Sequence, residues 1–453
     1  MNREDEQDLS GERKFRSRKT SRAIFASTLS VAIEWYDYYL YGLVSGLVFA
    51  HVFFPNASPL VGTVQAFGIF GVGFVARPIG AVLFGHLGDR VGRKTALMWS
   101  TLCMGIPSFV VAFVPSYETI GIGGAIILTF LRLMQGVGLG GQWAGAVLLS
   151  MESGSARRSG FFASWAQAGS PIGLVLANLA LIGTSAGMSG EAFLSWGWRI
   201  PFLISGVLIS VIIYMRFRVD ETPEFSRLSR SSRTERNPVL GVLRSNWREV
   251  LLAALVRTSE MAPFYIFTTF VVTYGVHELL LDQGFVLGAV LVASVLSVGW
   301  ILLFGHISDR IGRRSMYIIG AAATGVWGFG YFALLDTRIP ALVVIAIVVS
   351  MIPHDMQYGP QAAFIAESFP PRVRYSGAAL GSQLASIISG GPAPIIATAL
   401  LARFGSSTAV AIYLLLCAVV GGVAAFFLRA HGAETKTIEQ QPRFPLRLGA
   451  DER

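Results

Sequence analysis

Apolar runs of about 20 residues recur along the chain, each long enough to cross roughly 30 Å of hydrocarbon. Twelve of them, separated by short polar breaks, fall near 23–52, 60–85, 96–114, 120–150, 160–185 and 199–217, then 250–276, 286–305, 315–335, 340–366, 377–402 and 408–429. The pattern predicts a membrane-spanning helix for each run. Between the sixth and seventh lies a basic, Ser-rich segment, 218–248, the longest polar stretch inside the chain. The expected organisation is an N-terminal tail (1–22), a six-helix bundle (23–218), a linker (219–249), a second six-helix bundle (250–430) and a C-terminal tail (431–453).

One polar phrase is written twice. Gly85-His86-Leu87-Gly88-Asp89-Arg90-Val91-Gly92-Arg93-Lys94 returns 220 positions later as Gly305-His306-Ile307-Ser308-Asp309-Arg310-Ile311-Gly312-Arg313-Arg314. A second correspondence, at an offset of 215, maps Glu152 and Arg157 onto Glu367 and Arg372, and Gln142 onto Gln357. Two parallel repeats of six helices are a transporter architecture. The fold class read from the pattern is an all-α polytopic membrane protein of twelve transmembrane helices in two six-helix repeats.

Composition agrees: 53% of the 453 residues are hydrophobic and 14% charged, against about 25% charged in soluble proteins. The net charge of +9 would suggest nucleic acid in a soluble chain, but here its placement decides. Thirty Lys and Arg fall on the tails, the linker and the loops of one side. The other side holds Arg199, Arg338 and Arg403, and three more, Arg77, Arg132 and Arg257, lie within the runs. The positive-inside rule then makes both termini cytoplasmic. No nucleic-acid partner is expected, and the charged stretch 1–22 reads as a cytoplasmic tail rather than a signal peptide. Cys103 and Cys417 sit inside apolar runs without partner spacing, so neither a disulfide nor a metal site is expected. The Gly-rich run from Gly136 to Gly145 follows no strand and is closed by no Lys-Ser/Thr, so it reads as helix packing and not as a nucleotide loop. No cofactor is expected, and the energy source should be an ion gradient.

An ionisable residue at bilayer depth costs at least ~2.5–3.5 kcal/mol on insertion scales, so each is a functional candidate. The first run offers Glu34 and Asp37, three apart on one helical face that Tyr38 and Tyr41 continue. A carboxylate in a dry cavity can exchange a proton as its partner moves. Arg132, in the fourth run, is a candidate for gripping a bound carboxylate or for pairing with Asp37 at rest. Arg77 reads equally well as structural or binding. Arg257 and Glu260 stand i, i+3 in the seventh run and can pair; the sharper reading puts Arg257 on the substrate with Glu260 orienting it. In the tenth run, Pro353-His354-Asp355-Met356-Gln357-Tyr358-Gly359-Pro360 should break the helix and free carbonyls to line a cavity. His354 titrates near neutrality when unperturbed, which makes it and Asp355 proton-carrier candidates. Gln142 and Gln357 could hydrogen-bond a hydroxylated or zwitterionic substrate, while Trp143, Tyr265 and Tyr358 could wall the cavity.

The repeated loop resembles the signature of the major facilitator superfamily. More narrowly, the chain resembles the metabolite:proton symporter branch, the group of α-ketoglutarate, shikimate, citrate and proline/betaine permeases. The carrying pieces are Glu34-Trp35-Tyr36-Asp37-Tyr38-Tyr39-Leu40-Tyr41-Gly42, Arg77-Pro78-Ile79-Gly80, Arg132-Leu133-Met134-Gln135-Gly136, Trp198-Arg199-Ile200-Pro201-Phe202, Glu221-Thr222-Pro223-Glu224-Phe225, and the stretch from Glu367 to Gly377. The chain departs at Gln142, a neutral amide where the branch usually has a carboxylate. Trp143 and Arg257-Thr258-Ser259-Glu260 look closer to the shikimate-type permeases. The resemblance implies that Gly85, Asp89, Arg90, Gly92 and Arg93, with Asp309, Arg310 and Arg313, latch the outward-facing state rather than bind substrate.

The expected function is proton-coupled import of a small organic anion, a mono- or dicarboxylate metabolite, by alternating access. The transporter would work as a monomer in the inner (plasma) membrane, with H⁺, the substrate and the lipid bilayer as its only partners. Anion uptake against an inside-negative potential needs at least one co-transported proton. The alternatives are a symporter for zwitterions such as betaine or proline and, from another class, a non-transporting membrane sensor. A membrane enzyme is not expected, since no nucleophile–base pair or metal-ligand spacing is present.

Overall fold

The computed structural model describes residues 24–25, 27–57, 59–153, 158–217, 238–371 and 373–430. The tails 1–22 and 431–453, most of the linker, and Glu152 with Arg157 and Arg372 lie wholly or in their side chains outside the described residues. Twelve long helical elements follow in order. The first half holds α1 (27–53), α2 (Pro59–Arg90), α3 (Arg93–Val111), α4 (Gly123–Ser153), α5 (Ser159–Ala186) and α6 (Arg199–Phe217). The second holds α7 (247–278), α8 (Gln283–Ile311), α9 (Arg313–Asp336), α10 (Pro340–Glu367), α11 (374–404) and α12 (Ser407–Phe427). Among the described residues nine helices are long and apolar enough to cross a membrane, or ten if Gly190–Gly197 and Arg199–Tyr214, bent by 43°, count as one. Large apolar side chains such as Val75, Ile79, Phe130, Val295 and Phe427 face outward, and the buried polar residues face inward, as a hydrocarbon solvent requires.

Within the first half, α4 packs against α2 and α3, and α3 against α6; within the second, α10 packs against α8 and α9, and α12 against α7 and α9. The halves meet where α2 faces α11 and where α5 faces α8 and α10. Small residues allow the closest approaches. A Cβ on Gly80 would fall inside the radius of the Val137 carbonyl oxygen, and one on Gly140 inside that of Arg77, so α2 and α4 cross backbone to backbone. The repeated decapeptide turns the chain from α2 into α3 and again from α8 into α9. Gly92 (φ 135°) and Gly312 (φ 93°) hold the left-handed backbone that each turn needs.

Two features depart from the sequence reading. Helix α10 does not break at Pro353 or Pro360 but runs unbroken from Pro340 to Glu367. Each proline removes one donor, while the rest of the ladder must still be satisfied within the helix in a dry interior. Wide π-turns occur instead at Ser45–Phe49 in α1, Ile266–Phe270 and Tyr274–Glu278 in α7, and Ser386–Gly390 in α11. The first two lie 221 positions apart, close to the offset of the repeated loop, so the two halves share this irregularity as well.

The α2–α4 crossing yields a test. Gly80→Val should destabilise the folded protein by about 1–3 kcal/mol through overpacking and lower its melting temperature in detergent. Gly288→Val, where nothing lies within 4 Å of a Cβ, should leave it unchanged.

Candidate functional site

Buried polar side chains collect in two constellations, one in each half. In the first half, Arg132 of α4 lies along the bare backbone of Gly73 and over the rings of Tyr38 (4.3 Å to the centroid), Tyr41 (4.5 Å) and Phe70 (4.6 Å). Arg77 of α2 lies over Tyr38 (4.4 Å) and Phe74 (4.4 Å). Tyr38 therefore touches both guanidinium groups. Arg132 does not pair with Asp37. Its Nη1 donates to Gln135 Oε1 (3.1 Å), and Gln135 Nε2 donates to Ser108 Oγ (2.9 Å). The Asp37 carboxyl lies among the hydroxyls of Ser108 and Ser205. Ser108 Oγ in turn donates to the Met104 carbonyl (3.1 Å), so the hydrogen-bond chain from Arg132 ends beside the Asp37 carboxyl and does not include it.

In the second half, Arg257 and Glu260 of α7 form the i, i+3 pair (Nε–Oε2, 3.5 Å). Arg257 Nη1 also donates to the Ser382 carbonyl (3.2 Å), and its guanidinium lies 5.4 Å from the Trp143 ring of the other half. On α10, His354 stands between two carboxylates: Nδ1 is 2.8 Å from Asp355 Oδ1 and Nε2 is 3.5 Å from Glu260 Oε1. Gln361 Nε2 donates to Glu260 Oε2 (2.9 Å). With both carboxylates ionised and the imidazole neutral, the group Arg257, Glu260, His354 and Asp355 carries one net negative charge. One added proton balances it, and an imidazolium would then bridge the two acids.

A small cavity lies between the halves at this level. Trp35, Tyr39, Ser170 and Pro171 wall it from the first half, and Arg257, Glu260, Phe264, Tyr265, His354 and Tyr358 from the second. His354 stacks on Tyr358 (5.4 Å, 29°), and Tyr39 Oη is hydrogen-bonded to Ser170 Oγ (2.9 Å). Trp143 stands behind Arg257 and donates to Gln167 Oε1 (2.7 Å), whose own amide donates to the Tyr358 carbonyl (3.3 Å) across the half boundary.

Of the residues singled out in the sequence, Arg257, Glu260, Tyr265, His354 and Tyr358 line this cavity, Asp355 backs His354, and Trp143 stays behind Arg257. Glu34, Asp37, Tyr38 and Tyr41 share a face as expected, but that face looks into the first bundle; the cavity stripe of α1 is Trp35 and Tyr39. Gln142 and Gln357 do not line the cavity. Gln357 spans Ser259 Oγ, which donates to its Oε1 (2.7 Å), and Thr324 Oγ1, to which its Nε2 donates (2.7 Å). Gln142 reaches Thr101 Oγ1 at 3.3 Å, and with its amide turned over it donates to Glu34 Oε2 at 3.1 Å. At both ends of the internal match the glutamine ties its helix to a neighbour, α4 to α3 and α10 to α9. Gln135, Gln361, Ser108, Tyr39 and Ser170 were not singled out. The depth rule applied to the charged residues would have found the two glutamines.

The Major Facilitator Superfamily profile matches residues 26–392 and 301–450. The shikimate transporter of Escherichia coli (strain K12) is 38% identical over 415 residues, covering 91% of this chain and 95% of that protein. The chain belongs to the major facilitator superfamily. The proline/betaine transporter of the same strain is 32% identical over 415 residues, covering 89% and 82%. The solved structure of the proton:xylose symporter XylE bound to 6-bromo-6-deoxy-D-glucose has the same fold, with a TM-score of 0.72 at 17% identity over 91% and 95% of the two chains. The protein is a multi-pass membrane transporter and not an enzyme.

In this transporter both repeated loops lie on one face, and there they tie the halves together. Asp309 accepts from the backbone N–H groups of Gly160 (2.9 Å) and Phe161 (3.0 Å) in the first turn of α5, and from Arg313 (3.2 Å). Arg313 also pairs with Glu367 and donates to Ser159 Oγ (2.7 Å). Gly85 and Gly88 of the first copy are crowded by Ser376 and Tyr375 of α11, and Tyr375 Oη donates to the Gly141 carbonyl (2.6 Å). Arg90 and Arg310 are exposed, while the side chains of Asp89 and Arg93 lie outside the described residues. Arg313→Ala should loosen this face. With Cys103 and Cys417 replaced by serine, alkylation of a cysteine placed at Ser164, buried against Gly305, should then accelerate by about tenfold, as expected for loss of a charge-assisted pair.

Proposed function

We propose that the protein is a proton-coupled symporter that imports a small organic anion by alternating access. The face of the repeated loops is cytoplasmic and carries both termini, as the thirty-to-three bias of Lys and Arg requires. The protein works as a monomer in the inner membrane. The observation that carries the reading is the grouping of Arg257, Glu260, His354 and Asp355 on a cavity between the halves. It combines a cation for a carboxylate with a slot for one proton. A carboxylate that drew Arg257 away from Glu260 would leave two acids beside a neutral imidazole, and a proton on His354 would answer one of those charges while its two N–H groups face both acids. Cargo and proton are then favoured together, which is what symport of an anion against an inside-negative potential demands. Three deep arginines, and relatives that include a shikimate transporter, support an anionic cargo. The repeated-loop contacts hold the cytoplasmic side closed in this state, so the proposed gate residues Asp309 and Arg313 act by latching.

A zwitterion such as betaine is the second reading. It is favoured by the rings of Trp35, Tyr39, Phe264, Tyr265 and Tyr358 around the Glu260 carboxylate, a setting that also suits a quaternary ammonium group.

Uptake of labelled shikimate, dicarboxylates, proline and betaine into proteoliposomes under an imposed pH gradient tests both readings. Accumulation of an organic anion that follows the gradient is the expected result, and indifference to the gradient sinks the coupling. Glu260→Gln should slow gradient-driven uptake on the order of tenfold, within the range of coupling between linked sites, yet leave exchange of cargo at equal pH.

A further inference from the structure

The first half holds cationic groups that its own side chains leave incompletely answered. Arg77 and Arg132 are 2% and 1% exposed, and among the described residues neither has an ion pair within 4 Å. Arg77 Nε and Nη2, Arg132 Nη2, Tyr38 Oη and Tyr41 Oη are all buried without a hydrogen-bond partner. Ring faces stack on both guanidinium groups, but stacking returns only part of what a cation loses on leaving water, and it accepts no in-plane N–H. Arg132 is met in part, by the Phe70 carbonyl (3.4 Å) and Gln135 Oε1 (3.1 Å); Arg257, whose Nε also lacks a hydrogen-bond partner, differs in having a carboxylate, Glu260, within 3.5 Å.

We propose that Arg77 and Arg132, with the hydroxyls of Tyr38 and Tyr41, form an anion subsite of the first half that takes a carboxylate. It adjoins the cavity across one layer of rings. Tyr265 lines the cavity, lies beside Tyr38, and packs edge-on against Phe74 (5.6 Å, 76°). Trp35, also a wall of the cavity, is 5.8 Å from the Arg77 guanidinium. A dicarboxylate whose body fills the aromatic cavity can thus keep one carboxylate at Arg257 and reach the arginine pair with the other once Tyr38 and Tyr265 part. That use of the subsite rests on the transporter reading; the subsite itself does not. Planar guanidinium groups suit the two oxygens of a carboxylate better than a spherical halide.

The test uses the purified full chain in detergent with sodium formate, small enough to enter without a fitted body, and sodium chloride for comparison. Formate should raise the melting temperature of the wild type in a saturable way. Arg77→Gln and Arg132→Gln should each weaken that response about tenfold or more, the scale of one charge-assisted hydrogen bond. Without formate they should melt no lower than the wild type, because an unanswered buried cation is removed. A purely structural role for the arginines predicts the opposite, lower melting with the response intact, and that result overturns the proposal. Arg77→Lys should keep part of the response, and Arg403→Gln, an exposed site at the end of α11, all of it. Equal responses to chloride and formate overturn the carboxylate assignment. A formate response that needs both arginines, found in a protein that takes up no organic anion, would remove the anion-import reading and leave the subsite standing.

Discussion

Charge buried below the membrane surface has to be answered by neighbours within reach, because no water stands behind it. The transporter meets this constraint differently in its two halves. The second half surrounds Arg257 with a carboxylate, a backbone carbonyl and, through Glu260, a histidine and a glutamine. The first half surrounds Arg77 and Arg132 mainly with rings, adding for Arg132 one amide and one backbone carbonyl but no carboxylate. An ion pair can exchange partners, whereas a ring face can only be vacated or kept. The proposed proton chemistry therefore falls naturally on α7 and α10, and the unanswered positive charge on α2 and α4.

Because the repeats are parallel, they place equivalent residues at equivalent depths, yet the chemistry lies where they differ. The shared parts are mechanical: the turn glycines Gly92 and Gly312, the pinning amides Gln142 and Gln357, and the π-turns at Ser45–Phe49 and Ile266–Phe270. His354, Glu260, Arg77 and Arg132 have no such counterparts. A duplicated scaffold has kept its packing rules while each copy took on separate polar residues.

Most of the helical frame could be read from hydropathy, since span length and loop polarity are fixed by the thickness of the membrane. The runs at 160–185, 199–217 and 340–366 fall within a residue of the ends of α5, α6 and α10. The site was legible only in part. Helical spacing shows that Glu34, Asp37, Tyr38 and Tyr41 share a face, but which face looks into the cavity depends on how α1 is rotated against α2 and α5, a property of packing. The break expected at Pro353 and Pro360 does not occur in α10, because local propensity says nothing of the dry surroundings that hold a helix together. Contacts between halves, such as Asp309 with Gly160, join residues 149 positions apart and leave no local trace.

Asp309 has a consequence beyond its salt bridge. It supplies the N-terminal cap of a helix in the other half, since α5 has no capping side chain of its own. When this face parts, the first turn of α5 loses its acceptor, and its exposed N–H groups, at the positive end of the helix dipole, must turn to water or to a dissolved anion. In the proposed cycle, a state in which this face parts would expose an anion-attracting helix end that the contacts seen here conceal. Its population should respond to which salts bathe this face, independently of any cargo.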